Sequence, residues 1–343
     1  MKRHSTIVLL IISFICFVAT EACRKDKFTG GTELAIANPP GFPQRIQFIN
    51  EKLTAERVQL GRRLFYDARL SSDGSLSCAG CHQQIAAFGT YDHDLSHGIN
   101  GTHSNRNAPP LFNLLWRTSF GWDGRYNRIE DIIEAHLNSH IDMGGNAHHL
   151  PEKLKGLNSY QSYFKAAYGS NEITKERLLN ALAQFTATMV SAATKYDSVK
   201  QSLATFTSME QAGYTVFQNK CSSCHKEPLF TDNSFRNIGL PLNVAINDKG
   251  RMDATGKRED SLKFRVPSLR NLFKSYPFMH DGRFVAFSQV FDHYATGVQQ
   301  SFTLDASLRN GIALTIAEQN ALIEFLKAIT DEKFVSNEKF WKL

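Results

Sequence analysis

Little in this 343-residue sequence is extreme, and its absences narrow the field. The longest apolar run, Ile7–Ala19, covers thirteen residues, short of the ~20 that span a bilayer, so a polytopic membrane protein is excluded. No block of like charge exists. The 39 Lys and Arg and 33 Asp and Glu are scattered, and the net +6 leaves no footprint for nucleic acid. Apolar residues at 42% and charged residues at 21% are too ordinary for a disordered or collagen-like chain. Strand-type alternation is nowhere sustained, so a mostly α fold is expected. The length allows one large domain or two of ordinary size.

The N-terminus has the form of an export signal. Lys2 and Arg3 precede the apolar run, and Thr20-Glu21-Ala22-Cys23 follows it. A removed signal over residues 1–22 is expected. Ala22-Cys23 also resembles a lipoprotein cleavage site, with Cys23 as the lipidated first residue, although Glu21 and Thr20 fit that pattern poorly. Lipid attachment to a membrane and plain secretion both stay open. Either route puts the mature chain in the periplasm.

Six cysteines are few, and four form two pentads, Cys78-Ala-Gly-Cys81-His82 and Cys221-Ser-Ser-Cys224-His225. Cys-x-x-Cys-His is the attachment sequence of c-type haem: two thiols reach the two vinyl groups of one porphyrin, and the adjacent His is the proximal iron ligand. Zinc knuckles lie ~15–20 residues apart, whereas these pairs lie 143 apart. Disulfides do not account for a His after each pair. Two covalent haem c groups are expected, on His82 and His225.

The chain also repeats itself. Pro109, Leu111, Asn113, Asp123 and Arg125 recur 158 residues later as Pro267, Leu269, Asn271, Asp281 and Arg283. Two cytochrome-c-like haem domains related by internal duplication explain the order. The expected division is a 23–50 linker, a first domain over 51–200 and a second over 201–343, with the boundary in the Ser/Thr/Ala-rich stretch 191–207. Helical spacing runs through Leu178, Leu179, Leu182, Phe185 and Met189. Thr315 and Glu318 form a capping box ahead of Leu322, Phe325, Leu326 and Ile329. Turn-rich stretches at 89–106 and 231–260 are expected to loop over the haems.

These blocks, with Arg106–Asn113, Trp122–Arg125, Phe264–Asn271 and Tyr276–Arg283, resemble the bacterial di-haem cytochrome c peroxidase family, including its MauG-like members. The resemblance runs from about Leu53 to Phe334. It implies a peroxide-reacting N-terminal haem and a C-terminal haem that stores and relays electrons. The division is chemically sensible, since peroxide reduction takes two electrons and a haem handles one at a time. It implies Trp122 between the haems, and a calcium ion between the domains held by Asn107, Ser275 and Pro277, whose oxygen donors suit that ion. It further implies hydrogen peroxide as substrate and a small donor protein, a cytochrome c or cupredoxin, or else a protein substrate.

Three positions depart from the peroxidase pattern. Fourteen residues after His280, where peroxidases carry an axial methionine, stands Tyr294, as in MauG-like members. Met279 is a rival ligand that adjoins His280 in a turn. His97 lies beside the distal-histidine position and, with His93 and His103, reads as a surface loop residue. Asp142 stands at the family's catalytic glutamate position, one methylene shorter. The internal repeat adds one more residue: 158 positions before Tyr294 is His136, six before Asp142, with His140 close by. His136 and Asp142 are therefore candidate acid/base residues over the first haem. The competing reading is a helix end with surface histidines. Three functions remain open: an exported peroxidase, a MauG-like oxidase of a partner protein, and a non-enzymatic di-haem electron carrier.

Overall fold

Helix follows from the apolar spacing and the caps. The computed structural model describes residues 31–46, 52–91 and 93–343. The expected export signal and Cys23 lie outside the described residues, and the 23–50 linker is described only over 31–46. The principal helices are α1 (Ala55–Phe65), α2 (Ile129–Asn138), α3 (Lys175–Ala187), α4 (Lys195–Lys200), α5 (Ser208–Lys220), α6 (Phe287–Asp292), α7 (Ile316–Ala328) and α8 (Glu332–Val335). The one sheet among the described residues pairs β1 (Phe235–Arg236) with β2 (Phe264–Arg265), antiparallel and two residues long. The fold is mostly α. No described helix is long and apolar enough to cross a membrane.

Two helix crossings organise the chain. In the first half α1 packs on α3, burying Leu60, Leu64 and Phe65 against Leu178, Leu182 and Phe185. In the second half α5 packs on α7, burying Phe217 against Leu322 and Phe325. Each crossing is closed by a glycine. A Cβ on Gly61 would stand 1.9 Å from the Ala181 carbonyl oxygen and 2.8 Å from the Phe185 Cβ. A Cβ on Gly213 would meet Ala321 and Phe325 at the same two distances. Any side chain there forces the helices apart. At the start of α7, Thr315 and Glu318 cap reciprocally, as their spacing predicts.

Other local geometry recurs as well. Asn113 and Asn271 both take left-handed backbone, at φ 54° and 58°. The Asn113 amide donates to Met189 O at 2.8 Å, and that of Asn271 to Ile329 O at 3.1 Å. Their side-chain oxygens accept from Ser191 N at 2.9 Å and Asp331 N at 2.7 Å. Ser191 Oγ then donates to Asp331 Oδ2 at 3.0 Å and accepts from Asn271 Nδ2 at 3.0 Å. This buried polar knot ties the two halves together.

The connection differs from a plain linker. Thr194 and Asp197 cap α4 within the 191–207 stretch, and Tyr196 packs with Phe230 and Phe325 of the second half. The C-terminal segment returns to the first half: Phe334 and Phe340 stack edge-on against Phe88 at 5.8 and 5.6 Å. Gln84 Nε2 donates to Asn337 O at 2.9 Å, and the Tyr66 hydroxyl donates to Phe340 O at 2.7 Å.

Candidate active site

The first pentad forms one helical turn, Cys78–Cys81, ending at His82. His82 Nδ1 lies 2.9 Å from Phe88 O. A carbonyl only accepts, so Nδ1 carries the proton and Nε2 keeps its lone pair for a metal. In the second pentad His225 Nδ1 meets Phe230 O at 3.2 Å and Pro267 O at 3.1 Å, with the same result. Phe88 and Phe230 both hold positive φ, 61° and 55°, which turns each carbonyl toward its histidine. Cys78, Cys81, Cys221 and Cys224 form no disulfide. Burial pushes the Cys78 and Cys221 thiols up to about 12 and, with the neighbouring Asp142 charge, that of Cys81 up to about 11. Burial also holds both histidines down, His82 to about 4, so they stay neutral, the form that ligates iron. Two unbridged thiols and one anchored neutral imidazole fit a covalent haem at each pentad.

Opposite the first pentad, α2 presents His136 in its last turn. Glu130 and Asp131 favour the start of α2, and Ile129 and Leu137 bury its inner face. His136 Nδ1 lies 2.8 Å from Asp142 Oδ2. The Asp142 amide is held by Ser139 Oγ at 3.1 Å, and its carbonyl accepts from Ile99 N at 3.2 Å. Burial acts to raise the Asp142 carboxyl, but the hydrogen bond and charge of His136, with Ser139, outweigh it and hold it below the usual range. His136 and Asp142 also lie near enough to act on His82, and Asp142 on Cys81. The pair therefore lies near the first pentad, with the His136 side chain itself exposed. His140 is exposed. Gly98 lets the neighbouring loop close on this pair: a Cβ there would stand 1.8 Å from Ile141 O.

Near the second pentad stands Tyr294, close enough for Cys221 and Cys224 to act on it. Burial pushes its phenol up, and the adjacent Cys221 and Cys224 push in the same direction. It sits in a π-helical turn, His293–Gly297, continuing α6. Such turns re-aim one side chain and recur at functional sites. Met279, the rival ligand, holds φ 76° within the 278–284 turn.

Trp122 lines a cleft in the structure. Its Nε1 donates to Asn107 O at 2.8 Å and its carbonyl accepts from Arg265 N at 2.7 Å. It shares that cleft with Pro109 and Pro267, whose carbonyls act on His82 and His225. Asn107 donates its amide to His280 O at 2.7 Å and its side chain to His93 O and Asp94 O. Tyr276, between Ser275 and Pro277, meets Tyr91 edge-on at 5.4 Å. Among the described residues no group of three or more His, Cys, Asp or Glu side chains could hold a metal ion. His93, His97 and His103 stack on one another, exposed, with Cys81 Sγ 3.4 Å from His97 O.

Sequence reasoning missed two arginines beside Trp122, the half-buried Arg117 and the buried Arg265. Their signal was faint: Arg265 stands two residues before a repeated proline. It also missed Phe88, which anchors His82 and lies six residues beyond it.

Residues 55–204 match the family described as di-haem cytochrome c peroxidase. The chain is 33% identical over 289 residues to the methylamine utilization protein MauG of Methylorubrum extorquens, covering 82% of this chain and 80% of that protein. It is 29% identical over 284 residues to cytochrome c551 peroxidase of Nitrosomonas europaea, covering 81% of each. A solved MauG-like protein associated with microbial copper homeostasis superposes with TM-score 0.84 at 28% identity, over 90% of this chain and 99% of that one. The paired pentads, their anchored histidines and these likenesses converge: the chain belongs to the di-haem cytochrome c peroxidase family, with its MauG-like members, and is a peroxidase-type oxidoreductase carrying haem c.

Proposed function

We propose that the protein is an exported periplasmic enzyme built from two duplicated haem domains, roughly 51–200 and 201–343. The first reduces hydrogen peroxide, and the second relays electrons from a small donor protein. The matched glycine crossings, the paired left-handed asparagines and the constant offset of 158 support the duplication. The observation that carries the division of labour is the asymmetry of the distal sides: a His136–Asp142 pair in one half, Tyr294 in the other. Haem iron, when bound, supplies the site where peroxide docks and the electrons pass. The chain's own part is proton transfer. Asp142 accepts from His136 Nδ1, which leaves Nε2 free to take a proton from peroxide and return it to the departing oxygen. Two electrons and two protons convert one peroxide into two waters. Trp122, which lines the cleft, assists electron exchange. A calcium ion at Asn107, Ser275 and Pro277 steadies the two domains. Lipid attachment through Cys23 would hold the enzyme at a membrane.

A second reading is favoured by Tyr294 and by the likeness to MauG: the same haem pair oxidises a partner protein at long range. Stoichiometric peroxide titration of the purified protein, followed by optical and EPR spectroscopy with and without pre-reduction, tests the proposal. One equivalent is expected to remove two electrons and alter both haem signatures. Two haems whose sixth positions stay filled and inert to peroxide would leave an electron carrier. Turnover only with a protein reductant supports the first reading, and stable storage of both equivalents without one supports the second.

A further inference from the structure

Arg117 and Arg265 stand apart from the other deeply placed arginines. Arg106 meets Asp123 and Asp248, Arg236 meets Asp232 and Asp305, and Arg270 meets Asp197. Arg265 is 6% exposed and finds no carboxylate. Its Nε and Nη2 donate to Gly121 O and Nη2 to Ser119 Oγ, while Nη1 is buried with no partner among the described residues. Among the described residues the Arg117 guanidinium has one hydrogen-bond partner, the Pro110 carbonyl, at 3.1 Å from Nη2. Both line the cleft that Trp122 shares with Pro109 and Pro267. Desolvation pushes Arg117 down to about 10; desolvation together with the neighbouring Arg117 and Arg251, offset only in part by the Asp123 charge, pushes Arg265 down to about 9, and each stays protonated at neutral pH. A buried guanidinium with an orphaned N–H, set beside a second cation, is costly unless an anion joins them.

We propose that Arg117 and Arg265 form a clamp for haem propionate carboxylates in the cleft between the two halves. This rests on the reading that both pentads carry haem. A propionate is the anion that arrives tethered: it is part of the group bonded to the pentads flanking the cleft. Guanidinium suits it, since its planar fork can give two N–H bonds to one carboxylate. The clamp also sets the redox balance. A cation beside a haem disfavours the ferric state, which carries one more positive charge than the ferrous. Removing the cation therefore lowers the reduction potential.

The test is spectroelectrochemical titration of both haems in the holoprotein, as wild type, Arg265→Gln, Arg265→Lys and Arg117→Gln. Each Gln variant is expected to shift the ferric/ferrous equilibrium of at least one haem toward ferric by roughly tenfold, ~59 mV for one electron. Arg265→Lys should restore most of that shift. Potentials of both haems unchanged in both Gln variants would overturn the clamp. If Arg265→Gln does not mature, Arg117→Gln decides: the same shift supports the clamp, and both potentials unchanged overturn it. The wild type titrated across chloride and phosphate concentrations separates the anion's sources: a tethered carboxylate leaves the potentials fixed, and potentials that follow the added anion overturn the proposal in favour of a solvent ion. A wild type lacking haem by intact mass would instead remove the reading beneath it.

Discussion

Position 112 of the first half and position 270 of the second correspond, each one residue before a left-handed asparagine. Phe112 fills the first, 2% exposed. Arg270 fills the second, fully buried, with Nη1 2.8 Å from Asp197 Oδ2, Nη2 2.6 Å from Oδ1, and Nε 2.8 Å from Pro228 O. One backbone thus accepts an aromatic ring or an ion pair. The distal sides differ in the same manner, His136 with Asp142 against Tyr294. Shared geometry fixes where a side chain stands, and the residue placed there sets the chemistry.

The harshest way to break the comparison is to delete one attachment site. Cys78→Ala with Cys81→Ala should leave one haem per chain, and Cys221→Ala with Cys224→Ala the other. Intact mass and a pyridine haemochrome assay count them; two haems surviving in either variant contradicts the attachment. Next comes the proton-transfer pair. His136→Ala should slow the reaction with peroxide by ~10²–10⁴-fold in stopped-flow measurements. An acceleration would make His136 a blocking ligand, and an unchanged rate would put it outside the reaction.

The ion pair sharpens the contrast in stability. Asp197→Asn leaves Arg270 buried and unpaired and should cost ~3–5 kcal/mol in denaturant unfolding. Phe112→Leu should cost ~1 kcal/mol. Burial works to raise the Asp197 carboxyl, but Arg270 and Thr194 outweigh it and hold it below its usual range. Its contribution is therefore full above the ordinary carboxylate value of ~3.9 and is lost as pH falls through the lower folded value. Unfolding curves near pH 3 and pH 7 check this. A pH-independent Asp197→Asn penalty would count against it.

Smaller effects follow. Tyr294→Phe should alter the ferric EPR signature of one haem and raise its potential, since an oxygen ligand favours ferric iron. An unchanged signature would remove Tyr294 from the ligand set. Trp122→Phe should keep both haems and slow their exchange several-fold in flash-reduction kinetics, and wild-type exchange would reduce Trp122 to packing.

Much of this was legible in the sequence because covalent attachment needs fixed spacing. Each pentad is local, and the offset of 158 carried position 294 onto 136 without any structure. The mostly helical content followed from periodicity. What stayed hidden is long-range. Nothing local marks Ser191 as the partner of Asn113, Asp331 and Asn271, or Arg117 and Arg265 as neighbours without a carboxylate. The Thr194–Asp197 cap that starts α4 was spelled out, yet lay inside a stretch read as a boundary.

The return of residues 334–340 onto Phe88 has a consequence for the order of assembly. Gln84 and Asn337, joined by a hydrogen bond, are 253 positions apart. The ribosome makes the whole second half between them. The carbonyl that orients His82 belongs to Phe88, whose ring meets Phe65 of the first half and is enclosed further when Phe334 and Phe340 arrive. The half that is synthesised first is thus the half that is finished last, and a cut after Thr330 would loosen a histidine nearly 250 residues upstream.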